Sequence, residues 1–103
     1  MATTTIRIAM VVCLATAGLH AAAQGTRIEA LERSFWRCDH AATQGVLDRA
    51  TAMDCSVVTE TLKARRFGGD FSAMLAWWRE RKDAEHQALA AAQQATRLAV
   101  QRP

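Results

Sequence analysis

The chain has 103 residues, with 13 Lys plus Arg against 10 Asp plus Glu and a formal net charge of +3. That length fits one small domain. So mild a charge, with no basic stripe interleaved with aromatics, gives no electrostatic footprint for nucleic acid.

Residues 1–23 read as a secretory leader. Met1 to Arg7 carries one positive charge, Ile8 to Leu19 is an unbroken run of apolar and small residues, and Ala21, Ala22 and Ala23 offer the small side chains that a signal peptidase accepts. About a dozen residues fall short of the roughly 20 that a bilayer span requires. A lipid anchor on Cys13 does not fit, because Cys13 sits inside the apolar run rather than after it. Cleavage after Ala23 leaves residues 24–103 as a single helical domain, with 12 Lys plus Arg against 10 Asp plus Glu and a net charge of +2. It also leaves two cysteines, Cys38 and Cys55, in a chain bound for an oxidising compartment, which predicts that they pair.

The first helix signal is Thr26-Arg-Ile-Glu29, a hydroxyl residue followed three positions later by Glu, which reads as a capping box. Ile28, Leu31, Phe35, Cys38 and Ala42 then recur at steps of three and four, one face of a helix that should stop near Gly45. A second helix is expected from Asp48 or Thr51 to Phe67. Its apolar face would hold Met53, Val57, Val58, Leu62 and the stem of Arg65 or Arg66, with Cys55 at the flank. Lys63, Arg65 and Arg66 crowd its last turn, where positive charge suits the helix dipole, and Gly68 and Gly69 end it.

Asp70 is a good N-cap for a third helix beginning at Phe71, and nothing breaks the helical pattern before Pro103. Residues 87–103 are rich in Ala and Gln, so helix propensity is high but little large apolar surface is on offer, and the far end should project or fray. No strand pattern or repeat is present. The fold class is therefore all-α: a disulfide-bridged helical hairpin plus a long C-terminal helix. Cys38 lies eight residues before Val46 and Cys55 nine after it, so the two would face each other across the hairpin. For a loop of this size the crosslink is worth about 3 kcal/mol in the chain-entropy model.

Trp77 and Trp78 are adjacent, and neighbours on a helix point about 100° apart. Both are covered only if the helix lies in a groove with two walls. Met74 and Trp77 would face one wall and Phe71, Leu75 and Trp78 the other, with at least one of the pair in the core and its neighbour partly exposed. His40, beside Asp39, and His86, beside Glu85, read as members of solvated helix faces. No metal-ligand spacing, nucleophile with a base, or phosphate loop is present, so neither a cofactor nor catalysis is expected. The run from Arg79 to Glu85 reads as an outer face, with Arg79–Asp83 and Arg81–Glu85 as available intrahelical pairs. Trp36, Trp77, Trp78, Arg65 and Arg66 are the candidate binding residues.

The leader, "CDHAATQ" at Cys38 to Gln44, Cys55, and "WRERKDAEH" at Trp78 to His86 together resemble the N-terminal domain of LprI-type lysozyme inhibitors. That family consists of small, exported, helical, disulfide-bonded bacterial domains. The chain departs from its pattern at His86, where the family has its last cysteine, at Lys82, where it has arginine, and in lacking the tyrosine of that segment. The resemblance implies lysozyme inhibition as one candidate, and another family of small exported proteins of similar build stays open beside it. Three functions are thus expected in order: a periplasmic or secreted non-catalytic binder of another envelope protein or envelope component, a lysozyme inhibitor, and a carrier using the Trp pair. No stable membrane insertion is expected after leader cleavage, and the oligomeric state is left open.

Overall fold

Turn residues divide the described part of the chain, residues 25–102 of a computed structural model, into three helices, with no strand among them. The leader expected at residues 1–23, with Cys13 and His20, lies outside the described residues. Residues 25–30 belong to an N-terminal unit and are helical. The remaining described residues, from Leu31 on, form a second unit, which holds the disulfide, the core and the groove.

The first helix, α1, covers residues 25–44 of the described chain and gives way to a bend at Gly45, as its pattern predicts. The capping box is a different matter. Gly25 and Thr26 are both already helical, so Thr26 does not start α1; a four-residue motif of common residue types also arises inside helices. The second helix, α2, spans Arg49–Phe67. Its N-cap is Asp48, whose Oδ2 accepts from the Thr51 backbone N–H at 3.3 Å and whose Oδ1 accepts from the Thr51 hydroxyl. Gly68 and Gly69 then take φ of 59° and 82°, and the Gly69 N–H closes on the Lys63 carbonyl at 3.0 Å. Space is open around both glycines, so what the turn demands of them is a left-handed backbone, not smallness. Asp70 caps the third helix, α3, Phe71–Gln101, accepting from the Ala73 N–H at 3.1 Å.

Cys38 and Cys55 are joined, with Cα atoms 5.6 Å apart, and tie α1 to α2 as a hairpin. At the open end of that hairpin Arg66 of α2 bonds Glu32 of α1 at 2.6 Å. The buried core is small and aromatic: Phe35 and Trp36 from α1, Leu62 from α2, Met74 and Trp77 from α3, with Leu31, Val58, Phe67, Trp78 and Leu89 packed around them. Trp77 is only 8% exposed, and its ring centroid lies 4.9 Å from Trp36, 5.5 Å from Phe35 and 5.4 Å from Phe67. The Arg66 guanidinium lies over Trp77 at 4.8 Å, so the same arginine clamps α1 and covers the core.

Several side chains do not take their expected places. Met53 is 60% and Val57 65% exposed, while Cys55, Val58 and Leu62 turn inward. α2 carries two apolar stripes on nearly opposite faces, and the disulfide commits the Cys55 side to the core. Phe71, on the first turn of α3, and Ala42 are exposed. His40 and His86, expected on solvated faces, are drawn into the contact between α1 and α3, because each finds a hydrogen-bonding partner on the opposite helix. The pairs Arg79–Asp83 and Arg81–Glu85 are not among the ion pairs of the described residues; exposed pairs of this kind gain too little to be held in place.

Candidate functional site

The start of the site is the divergence of Trp77 and Trp78. A rotation of about 100° per residue carries Trp77 into the hairpin groove and turns Trp78 onto the flank of α1. There the Trp78 indole Nε1 donates to Asp39 Oδ2 at 2.9 Å. Eight residues further along α3, about two turns, His86 Nε2 donates to the same oxygen at 2.7 Å. Asp39 therefore draws two α3 side chains onto α1, while its Oδ1 takes no part in either bond. On the outer side the Lys82 ammonium stands 4.6 Å from the Trp78 ring centroid, as the i, i+4 spacing on α3 allows.

The His86 ring also packs edge-on against Trp36 at 6.1 Å and against His40 at 5.2 Å. His40 is 8% exposed. Its Nε2 lies 3.2 Å from Gln44 Nε2 and 3.5 Å from Gln93 Oε1, and Gln44 also donates to Gln93 at 3.1 Å. Gln93 thereby docks α3 on the last turn of α1. From Gln94 on, every residue through Arg102 is exposed. Among the described residues, the buried nitrogens His40 Nδ1 and Trp77 Nε1 find no hydrogen-bond partner. Each such group opposes folding by about 1–3 kcal/mol, so the packing around them outweighs a sizeable penalty.

In front of this network lies an open groove of about 540 Å³, lined by Asp39, Ala42, Thr43, Trp78, Lys82, Asp83, His86 and Gln87. It offers an aromatic wall, two carboxylates, one ammonium, an imidazole and an amide within one concavity. The Thr43 hydroxyl donates to the His40 carbonyl at 2.6 Å, so the one hydroxyl on the groove wall is committed to the backbone. Among the described residues no three of His, Cys, Asp and Glu come together in a way that would hold a metal ion.

Of the residues singled out in the sequence, Trp36 and Trp77 are in the core and present no ring face to a partner. Trp78 alone of the three lines the groove. Arg66 is half-buried and bound to Glu32, and Arg65 is exposed on α2. Asp39, Thr43, Lys82, Asp83 and His86 were not singled out as binding residues. The signal available for them was that Asp39 and His86 lie in the two segments that carry the family resemblance; their meeting depends on how α1 and α3 pack. No family model matches the chain, and comparison with curated proteins and with solved structures found no match. The disulfide is compatible with an oxidising extracellular compartment, and no helix among the described residues is long and apolar enough to cross a membrane.

Proposed function

We propose that this is a small exported, non-catalytic helical protein that binds another cell-envelope protein or an envelope component through the groove between α1 and α3. The observation that carries the reading is Trp78: an indole pinned at its edge by Asp39, on the wall of an open groove that also presents Lys82, Asp83 and His86. Tryptophan is enriched among the hot spots of protein recognition, and polar and charged groups such as those around Trp78 make up the rims that surround them. The committed Thr43 hydroxyl supports binding over chemistry. Export rests on the leader pattern of residues 1–23 together with the Cys38–Cys55 bond.

The test compares the purified protein with a Lys82→Glu, Asp83→Lys variant as baits for envelope extract. Species retained by the first and lost by the second are the expected result, and an unchanged set removes the groove from the reading. Intact mass of the protein recovered outside the cytoplasm checks export: cleavage near Ala23 and the loss of two hydrogens are expected.

A second reading, lysozyme inhibition, is favoured by one observation. Apart from Gln87, every residue lining the groove comes from the segments Cys38–Gln44 and Trp78–His86, the two on which the family resemblance rests. Slower lysozyme turnover with added protein, abolished by reducing the disulfide, supports it; unchanged turnover at micromolar protein excludes it. The carrier reading called on both indoles of the pair, and with Trp77 buried only one of them is on the surface, so it is not pursued.

A further inference from the structure

The outward face of α2 is an apolar stripe that nothing in the unit covers. With Val57 as origin and about 100° per residue, Ala50, Met53, Thr61 and Ala64 all fall within about 40° of it, while Cys55 and Leu62 lie about 140 to 160° away. Met53 and Val57 are 60% and 65% exposed, and the Thr61 hydroxyl already donates to the Val57 carbonyl at 2.7 Å, so covering this stripe would strand no donor. Four exposed charges border it: Arg49 and Glu60 along one edge, Asp54 and Arg65 along the other, each about 60 to 80° from Val57.

The order of these charges identifies the occupant. Arg49 and Arg65 lie eight residues to either side of Val57, and Asp54 and Glu60 three residues to either side, so the signs read the same from both ends of the helix. We infer that the outer face of α2 docks a second copy of this chain, with the two α2 helices antiparallel across a two-fold axis at Val57. That axis keeps each edge against the same edge of the other copy while reversing its direction. Arg49 then lies about 7.5 Å along the axis from the other copy's Glu60, and Arg65 the same distance from its Asp54, both within reach of an arginine side chain. Equivalent acids are held about 9 Å apart along the axis and the arginines farther still. Glu60 is already bonded to Lys63 at 2.9 Å, whereas Arg49, Asp54 and Arg65 make no ion pair among the described residues.

Size sets the strength. Nineteen residues of α2 present a face about 28 Å long and 11 Å wide, which is roughly 600 Å² for two copies together. A stable interface buries about 1,200 Å² or more, so this contact is transient and forms at high local concentration, as in a crowded envelope or on a repetitive target. It lies on the helix that contributes nothing to the α1–α3 groove and does not depend on the function assigned to that groove.

Sedimentation velocity on the purified protein, from micromolar to millimolar concentration, tests the inference. The expected result is a reversible monomer–dimer equilibrium that Val57→Glu weakens by roughly tenfold or more with an unchanged circular dichroism spectrum, since it places two like charges on the axis. Asp54→Arg should weaken it as well, by making one edge uniformly basic. Adding Arg65→Glu to Asp54→Arg restores a mixed edge and should recover the association. A protein that is monomeric throughout, a dimer indifferent to Val57→Glu, or a charge swap that fails to recover the dimer overturns the inference.

Discussion

Near the turn between α2 and α3 the unit is held together by rings, whereas near the turn between α1 and α2 it is held by a polar network. At the first place Phe35, Phe67, Met74 and Trp77 pack with Arg66 laid across them. At the second, Asp39, His40, Gln44, His86 and Gln93 exchange hydrogen bonds between α1 and α3. The difference follows from what each stretch of α3 brings to α1. Aromatic and aliphatic residues at Met74 to Trp78 supply apolar area, while beyond Lys82 the helix offers only Leu89 among large apolar residues that pack. Directional bonds replace area there, and a fold that changes its means of cohesion along one helix leaves its open groove at the changeover.

Removing the ring from the aromatic end should have the largest effect. Trp77→Ala is expected to destabilise by about 3–5 kcal/mol, and the adjacent Trp78→Ala by much less, because its ring is only half-buried; denaturant unfolding of the pair measures the gap. Equal losses would erase the distinction between the two ends. Reducing the Cys38–Cys55 bond comes next, at about 3 kcal/mol for this loop, and thermal unfolding with and without reductant reads it. Because the bond ties α1 to α2, it should weaken both ends together. Asp39→Ala acts on the polar end alone: it leaves the Trp78 and His86 donors without their acceptor, at about 1–3 kcal/mol. The same change should alter Trp78 emission while the environment of Trp77 stays as it is, which Trp77→Phe and Trp78→Phe backgrounds would separate.

The smallest effect belongs to pH. The Thr51 hydroxyl, and after it the Thr51 backbone N–H, hold the Asp48 carboxyl below the ordinary aspartate range. The folded value is thus below the unfolded one. Its contribution is present above the unfolded value of about 3.9 and is lost as pH falls through the folded one. Since the group is fully exposed the effect is slight. Asp48→Asn should flatten the fall in stability below about pH 4, with the aromatic end unaffected.

The helices were legible wherever punctuation is local. Gly45, Asp48, the Gly68–Gly69 pair and Asp70 each act through their own backbone, and each stands where the sequence puts a boundary. The cysteine pairing was legible because two cysteines at nearly equal distances from a turn, eight and nine residues, face each other across a hairpin. Faces were harder to read. Met53 and Val57 make as good an apolar stripe as Val58 and Leu62, and only the position of Cys55 against Cys38 decides which turns inward. The groove was least legible, since Asp39, Trp78 and His86 are bound to one another by a contact 39 and 47 residues long in sequence. No local pattern marks a carboxylate as the anchor for an indole on another helix.

The length of α3 gives a single helix two stabilities. Its 31 residues extend about 46 Å, and every residue after Gln93 through Arg102 is exposed. Amide hydrogen exchange should therefore show a gradient along one continuous helix. Amides around Trp77 exchange only when the whole unit unfolds, while those near Leu98 and Val100 exchange by fraying from the end. The step between the two regimes should fall at Gln93, where the last cross-helix hydrogen bonds are made.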